Sequence, residues 1–322
     1  MKRISIRIAA AVLCLWILPA HVLADRELTP VGQVIGLELL DGRVTVAAFD
    51  DALGRQTQKA GLAVGDVIVQ IDNMEILSSD DIRRALVCSG GTVTVKVLRG
   101  DRYHTFKVEP QITSEGPRLG IYLRQGVTGI GTVTWYDPET GEFGTLGHGV
   151  SNSKGQLLDM TEGYAYHARI LTVKKGVCGD PGQLMGSVAS PVPVGELERN
   201  TEQGVFGISK KGWQGDCVPV AKASEVKTGK AVILATVSGS EVREYSVEIL
   251  KIYPAAKTGG RNMVIKVTDP GLLEATGGIV QGMSGSPILQ NGKLIGAVTH
   301  VLVNDPTTGY GIFIENMLDA AG

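Results

Sequence analysis

The segment Gly282-Met283-Ser284-Gly285-Ser286-Pro287 carries the residue types that nucleophilic catalysis requires. A serine that attacks a carbonyl needs its hydroxyl exposed on a sharp turn, with glycines beside it so that the substrate backbone can come close. Backbone N–H groups of the same turn, those of Gly282 and Ser284, can then stabilise the oxyanion. The bland alternative is a Gly/Ser/Pro-rich hairpin loop without chemistry. A hydroxyl is inert at neutral pH without a base, and histidine is the side chain whose ordinary pKa suits that work. Of five histidines, His21 lies in an apolar leader and His104 in the first folded unit, leaving His148, His167 and His300. His148, in Phe143-Gly144-Thr145-Leu146-Gly147-His148-Gly149, ends a strand among glycines that expose its ring, and it is the expected base. His300 falls on a strand after the serine and reads as a pocket wall or substrate contact. His167, beside Tyr164 and Tyr166, reads as structural. The carboxylate that would orient the base is open among Asp269, Asp159, Asp180 and Asp305, because a turn aspartate is commonly just a turn former or cap.

The elements that must position these residues are mostly strands. Glycine is abundant, 43 of 322 residues, dispersed and without a three-residue period, and aromatic residues are only 5%. Hydrophobic residues at 43% give material for a packed core, so intrinsic disorder is excluded. Residues 113–322 contain strand-like pieces at Gly129–Trp135, Ala231–Ser238, Glu244–Ile252, Met263–Val267, Pro287–Gln290 and Leu294–Val303, with no long helix. That pattern predicts a barrel or sandwich. A formal net charge of −2 without a basic cluster excludes a nucleic-acid partner.

Residues 31–109 read as a separate unit. Val44-Thr45-Val46, Val67–Ile71, Thr92–Leu98 and Tyr103–Val108 are strands. Ser79 or Asp80 can cap a helix whose apolar positions Ile82, Ala85 and Leu86 recur at helical spacing. This order, with the run Ala60-Gly61-Leu62 … Gly65-Asp66-Val67-Ile68 … Ile71-Asp72, resembles the PDZ domains of secreted bacterial proteases. Such a domain receives a peptide as an extra strand, its carboxylate on backbone N–H groups. The resemblance places that carboxylate loop at Val34-Ile35-Gly36-Leu37, with helix Asp80–Val87 as the other wall, and a peptide tail or a segment of the chain itself as occupant.

Residues 1–24 carry Lys2, Arg3 and Arg7 before an uncharged apolar run, and Val22-Leu23-Ala24 ends it with a small residue. This is the layout of a signal peptide or membrane anchor, so export across the cytoplasmic membrane is expected. Cys88, Cys178 and Cys217 remain after it. Cys178–Cys217 can pair in an oxidising compartment, or all three can stay free thiols, and no C-x-x-C spacing suggests a metal. No cofactor is expected.

The nucleophile segment is similar to the G-x-S-G-G-P turn of chymotrypsin-like proteases, with Ser286 in place of the second glycine. In those enzymes the strand returning after it lines the primary specificity pocket, here Val298, Thr299, His300 and Val301. Met283 stands where trypsin-like zymogens carry the acidic residue that pairs with a newly cut amino terminus, so activation by that route is not expected. At larger scale, Thr145–Ser151, Val267–Gly271, Ile279–Ile288 and Ala297–Pro306 resemble the SpoIVB peptidase family, serine proteases of endospore-forming bacteria. The resemblance implies a mainly β chain, a PDZ-like α+β domain followed by a chymotrypsin-like double β-barrel peptidase domain. It implies a triad of His148, Asp269 and Ser284, although Asp269 lies only 15 residues before the serine rather than midway between base and nucleophile. It further implies location in the forespore intermembrane space. The substrate there is the extracytoplasmic part of a membrane protein, whose cleavage triggers sigma-factor processing, with self-cleavage under PDZ control. Two other readings stand beside it: a PDZ adaptor or sensor on a degenerate protease scaffold, and a general quality-control protease.

Overall fold

Alternating apolar and polar residues, as in Val93–Arg99 and Met263–Val267, bury one face of a strand and leave the other to solvent, and the fold is built almost wholly from such strands. The computed structural model describes residues 26–152, 154–253 and 261–322. The leader expected at residues 1–24 lies outside them. The described residues contain no helix long and apolar enough to cross a membrane.

In chain order the elements are β1 (Glu27–Pro30), β2 (Val34–Phe49), α1 (Arg55–Lys59), β3 (Val67–Ile71), β4 (Met74–Glu75), α2 (Ser79–Cys88), β5 (Val93–Arg99) and β6 (Arg102–Val108). A small hairpin, β7 (Gln111–Thr113) and β8 (Gly116–Arg118), leads to β9 (Ile121–Tyr136), β10 (Glu142–Thr145), β11 (Glu162–Lys174), β12 (Gln183–Thr201), β13 (Gly204–Ser209) and β14 (Val218–Pro219). The last part is β15 (Gly229–Ala235), β16 (Arg243–Ile252), β17 (Met263–Val267), α3 (Pro270–Thr276), β18 (Pro287–Gln290), β19 (Lys293–Leu302), β20 (Asp305–Phe313) and α4 (Ile314–Ala321).

Two barrels result. Strands β15, β16, β17, β20, β19 and β18 close on themselves. The pairings β2–β9, β9–β10, β10–β13, β13–β12, β12–β11 and β11–β2 also return to their start, making a six-stranded barrel within the larger sheet. The first barrel encloses Ile35, Leu39, Val133, Phe143 and Val205; the second encloses Ile233, Val247, Ile265, Ile288 and Val298. Between them, Trp135 and Phe206 meet Leu294, Ala297 and Ile312, and α4 covers this seam with Ile314 and Met317.

The PDZ-like unit has its own core, with Val44, Ile68, Ile82, Leu86 and Val95. Its boundary differs from the one expected. Within β2, Ile35–Leu40 pairs with β11 of the first barrel, whereas Val44 and Thr45 pair with β3 of the PDZ-like sheet. Strand β9 follows the same path in reverse, so the unit is an excursion between two neighbouring barrel strands. The shared ribbon bends at Gly126, where φ is +58° and a Cβ would lie 1.8 Å from the Leu39 carbonyl oxygen. Only glycine fits there. Val34-Ile35-Gly36-Leu37, expected as the peptide-carboxylate loop, is therefore barrel strand. Ile35 and Leu37 are buried in the barrel core, with their backbone engaged by β9 and β11.

Candidate active site

Ser284 sits on the turn between Val280 and Pro287, held internally by Met283 N–H to the Val280 carbonyl and Ser286 N–H to the Met283 carbonyl. Gly282 and Gly285 supply the positive φ values the turn needs, +100° and +95°. Met283 anchors it by burying its side chain completely. Strand β9 seats the loop from the other barrel. The Thr132 N–H donates to the Ser284 carbonyl (3.0 Å), the Thr132 hydroxyl to the Gly282 carbonyl (3.0 Å), and the Thr134 hydroxyl to the Gly285 carbonyl (2.7 Å). From the same barrel as the loop, Val298 accepts from Gly285 N–H and donates to the Ser286 carbonyl. Among the described residues, no group accepts from the N–H of Gly282 or Ser284, so both donors expected for the oxyanion are unclaimed.

His148 follows β10 through two positive-φ residues, Leu146 (+69°) and Gly147 (+67°). The Thr145 hydroxyl donates to the Thr132 carbonyl at 2.6 Å, so one β9 residue ties both the base loop and the nucleophile loop. Asn200 pins the other flank of His148, accepting from Val150 N–H and donating to the carbonyls of Val150 and Leu158. Nδ1 of His148 lies 3.0 Å from the Gly149 carbonyl oxygen. A carbonyl only accepts, so Nδ1 carries the proton and Nε2 is left with the lone pair a general base needs. Burial pushes the His148 pKa below the ordinary histidine value, against the smaller opposing pull of the Gly149 carbonyl. The ring is therefore neutral at pH 7.

His148 and Ser284 line one cavity of about 250 Å³. The Ser284 hydroxyl donates to the Thr299 carbonyl at 2.7 Å, a resting position from which rotation about its side-chain bond is needed to reach the base. His300 stands beside His148 with ring centroids 5.1 Å apart. Burial, with the neighbouring His148 and Arg261, pushes its pKa down to about 4. Of the four expected pocket residues, Thr299 and His300 reach the site. Val298 instead points into the second barrel's core, fully buried, and Val301 packs against that core, because the register of β19 against β20 shifts between Val298 and His300 and breaks the strict alternation of faces.

Asp269 is not brought to the His148 ring. Its carboxylate caps α3 by accepting from Leu272 N–H at 2.9 Å, and it also accepts from Ser246 N–H at 3.4 Å. Asp180 pairs with Lys174, and Asp305 binds Thr307 and Thr308. Among the described residues, no carboxylate hydrogen-bonds His148, whose orienting partner in this arrangement is the Gly149 carbonyl. The cysteines Cys88, Cys178 and Cys217 are free and exposed. No cluster of potential metal ligands occurs among the described residues.

A family model described as SpoIVB peptidase S55 matches residues 115–318, a span that holds Ser284, His148 and both barrels' site loops. The chain belongs to the SpoIVB peptidase family. It is a serine peptidase, and a PDZ-domain model matches residues 58–99 ahead of the catalytic part. The chain is also similar to a putative zinc metalloprotease of Rhizobium meliloti (strain 1021), at 31% identity over 125 residues, 38% of this chain. It spans about a third of that relative's length, 31%. Among solved structures it is similar to the Rv3671c protease from M. tuberculosis in its active form, with 16% identity, a TM-score of 0.36, and coverage of 61% of this chain and 75% of that one. A second is Deg5, with 15% identity, a TM-score of 0.34, and coverage of 60% and 80%.

In this SpoIVB-family peptidase the PDZ-like unit offers an edge that the sequence reading missed. Residues 121–125 of β9 pair on one side with β2, and among the described residues their other side carries no strand. Gln125 reaches the start of α2, accepting from Ser79 N–H and donating to the Leu77 carbonyl. The loop before this edge holds Leu119 and Gly120, the latter at φ +65°. That is an open strand edge beside a helix, the arrangement that strand addition of a peptide requires.

Proposed function

We propose that this peptidase is exported and cuts the extracytoplasmic segment of a membrane protein as a signalling step in sporulation, and that it also cuts itself under control of its PDZ-like unit. The observation that carries the reading is the convergence of Ser284 and His148 on one cavity beside two unclaimed N–H donors. The charged-then-apolar leader at residues 1–24 supports export, and the family match supports the sporulation setting.

The chemistry follows from the arrangement. The Ser284 hydroxyl turns from the Thr299 carbonyl and gives its proton to Nε2 of His148 as its oxygen attacks the scissile carbonyl. The oxyanion meets the N–H groups of Gly282 and Ser284, whose positions are fixed in advance by Thr132 and Thr134. The imidazolium keeps its Nδ1 proton on the Gly149 carbonyl and delivers the Nε2 proton to the leaving nitrogen. Water, deprotonated by the same ring, then releases the acyl group. A peptide carboxyl terminus adds beside Ile121–Gln125, and because β9 continues into the barrel, its occupancy acts on the strand that seats the nucleophile.

The test is expression of the full chain and of Ser284→Ala in an exporting bacterium, with both amino termini mapped. Wild-type protein is expected outside the cytoplasm in a shortened form absent from Ser284→Ala. Identical termini in both would remove self-cleavage from the account, and retention in the cytoplasm would remove export.

A further inference from the structure

We propose that the cavity beside His148 receives the side chain of the residue immediately after the scissile bond and selects an apolar one. The proposal rests on the serine-peptidase reading of the same site. The position follows from the direction of proton delivery. His148 must hand its proton to the leaving nitrogen, so the leaving chain lies on the His148 side of Ser284. The cavity begins at Ser284 and Gly282, passes His148 and ends in the mouth of the first barrel; no residue of β19 lines it. The acyl half of a substrate therefore has β19 on its side, and the leaving half has this cavity.

Its chemistry is equally one-sided. The walls beyond His148 are Leu37, Leu39, Val127, Leu146 and Val150, and none of the lining side chains is a carboxylate, lysine or arginine. Gly129 leaves one stretch of the wall without a side chain. On β9, Val127 and Val133 belong to the first barrel's core. Gly129 and Gly131 lie between them at the same pleat. A Cβ on Gly131 would stand 2.4 Å from Leu146 Cδ2, so Leu146 already fills that position. A Cβ on Gly129 would meet nothing within 4 Å. At about 250 Å³ the cavity falls below the range of small-molecule pockets, roughly 300–1,000 Å³, and suits a single side chain. A charged side chain placed there would lose its hydration without gaining a partner, because His148 is neutral and the walls are hydrocarbon.

The experiment uses peptide pairs identical except for the residue after the scissile bond, Leu or Asp, in a sequence first found by mass spectrometry of an unfolded-protein digest. Rates are expressed per active site titrated with a fluorophosphonate, which removes any misfolded fraction. The wild-type enzyme is expected to favour Leu over Asp by at least about tenfold, the scale of burying one aliphatic side chain. Gly129→Leu, which places a side chain at the cavity wall, is expected to bring that ratio to within about threefold, and Gly129→Ala to an intermediate value. A wild-type ratio near one, or a ratio unchanged in Gly129→Leu, would overturn the proposal. Absence of fluorophosphonate labelling in the wild type would instead overturn the serine-peptidase reading beneath it.

Discussion

Thr132→Val isolates what the β9 seat contributes to catalysis. The substitution keeps shape and removes one hydroxyl, which in this fully buried residue donates to the Gly282 carbonyl at 3.0 Å. Losing that bond costs about 1 kcal/mol of stability if water reaches the half-buried carbonyl, rising to about 3 kcal/mol if it does not. The Thr132 N–H bond to Ser284 and the Thr134 bond to Gly285 remain, so the loop loosens without coming free. Complete loss of an oxyanion donor costs about 10²–10³ in kcat. One loosened tie among three should therefore cost about tenfold, or about 1.4 kcal/mol of barrier. Because oxyanion contacts form mainly in the transition state, kcat should fall while KM stays nearly constant. The matched control is Thr236→Val, which removes an equally buried threonine hydroxyl bond, to the Gly32 carbonyl at 3.1 Å, away from the site loops. Urea melts and peptide kinetics on both variants give the comparison. Similar stability losses with a kcat loss confined to Thr132→Val are expected. Equal kcat losses in the two, or a change in KM alone, would refute the seat as a catalytic device.

Three further predictions concern charge. Catalysis needs neutral His148, whose pKa burial holds below the ordinary histidine value, so kcat/KM should be flat at neutral pH and fall only at mildly acidic pH; a midpoint above 7 would contradict this. Both His148 and His300 take protons less readily folded than unfolded, so stability should decline as pH drops from about 6.5 towards about 4, and a urea-midpoint series reads that slope directly. Asp269→Ala should cost about 1 kcal/mol by removing the α3 cap, whereas Asp269→Asn, also a strong cap, should hold the melting point. A collapse of turnover in the stable Asn variant would show that the carboxylate charge is needed at the base.

The sequence was most informative where chemistry depends on contiguous residues. The Gly282–Pro287 turn and the glycines around His148 are local, and their backbone demands can be read from residue type. Helix α2 was legible for the same reason, although its cap is Ser78, in a reciprocal bond with Asp81, rather than Ser79 or Asp80. What the sequence did not disclose is set by pairing between distant strands. Val34–Leu37 looks equally suited to a loop or a strand until β9 and β11 are placed on either side of it. The side chains of Thr132, Thr134 and Asn200 act on residues 42–151 positions away, so no spacing announces them. Asp269 shows the reverse problem. The Asp-Pro-Gly signal before an apolar run is that of a helix cap, and the cap is what the fold makes of it.

The account rests on Ser284 as the nucleophile, and covalent labelling tests that most directly. The wild-type protein is treated with a biotinylated fluorophosphonate, and the modified residue is located by peptide mapping. A single adduct on Ser284, absent in Ser284→Ala and in wild-type protein unfolded by urea before treatment, is the predicted result. Labelling of the buried neighbour Ser286, or persistent proteolysis of the same substrate by Ser284→Ala, would contradict it.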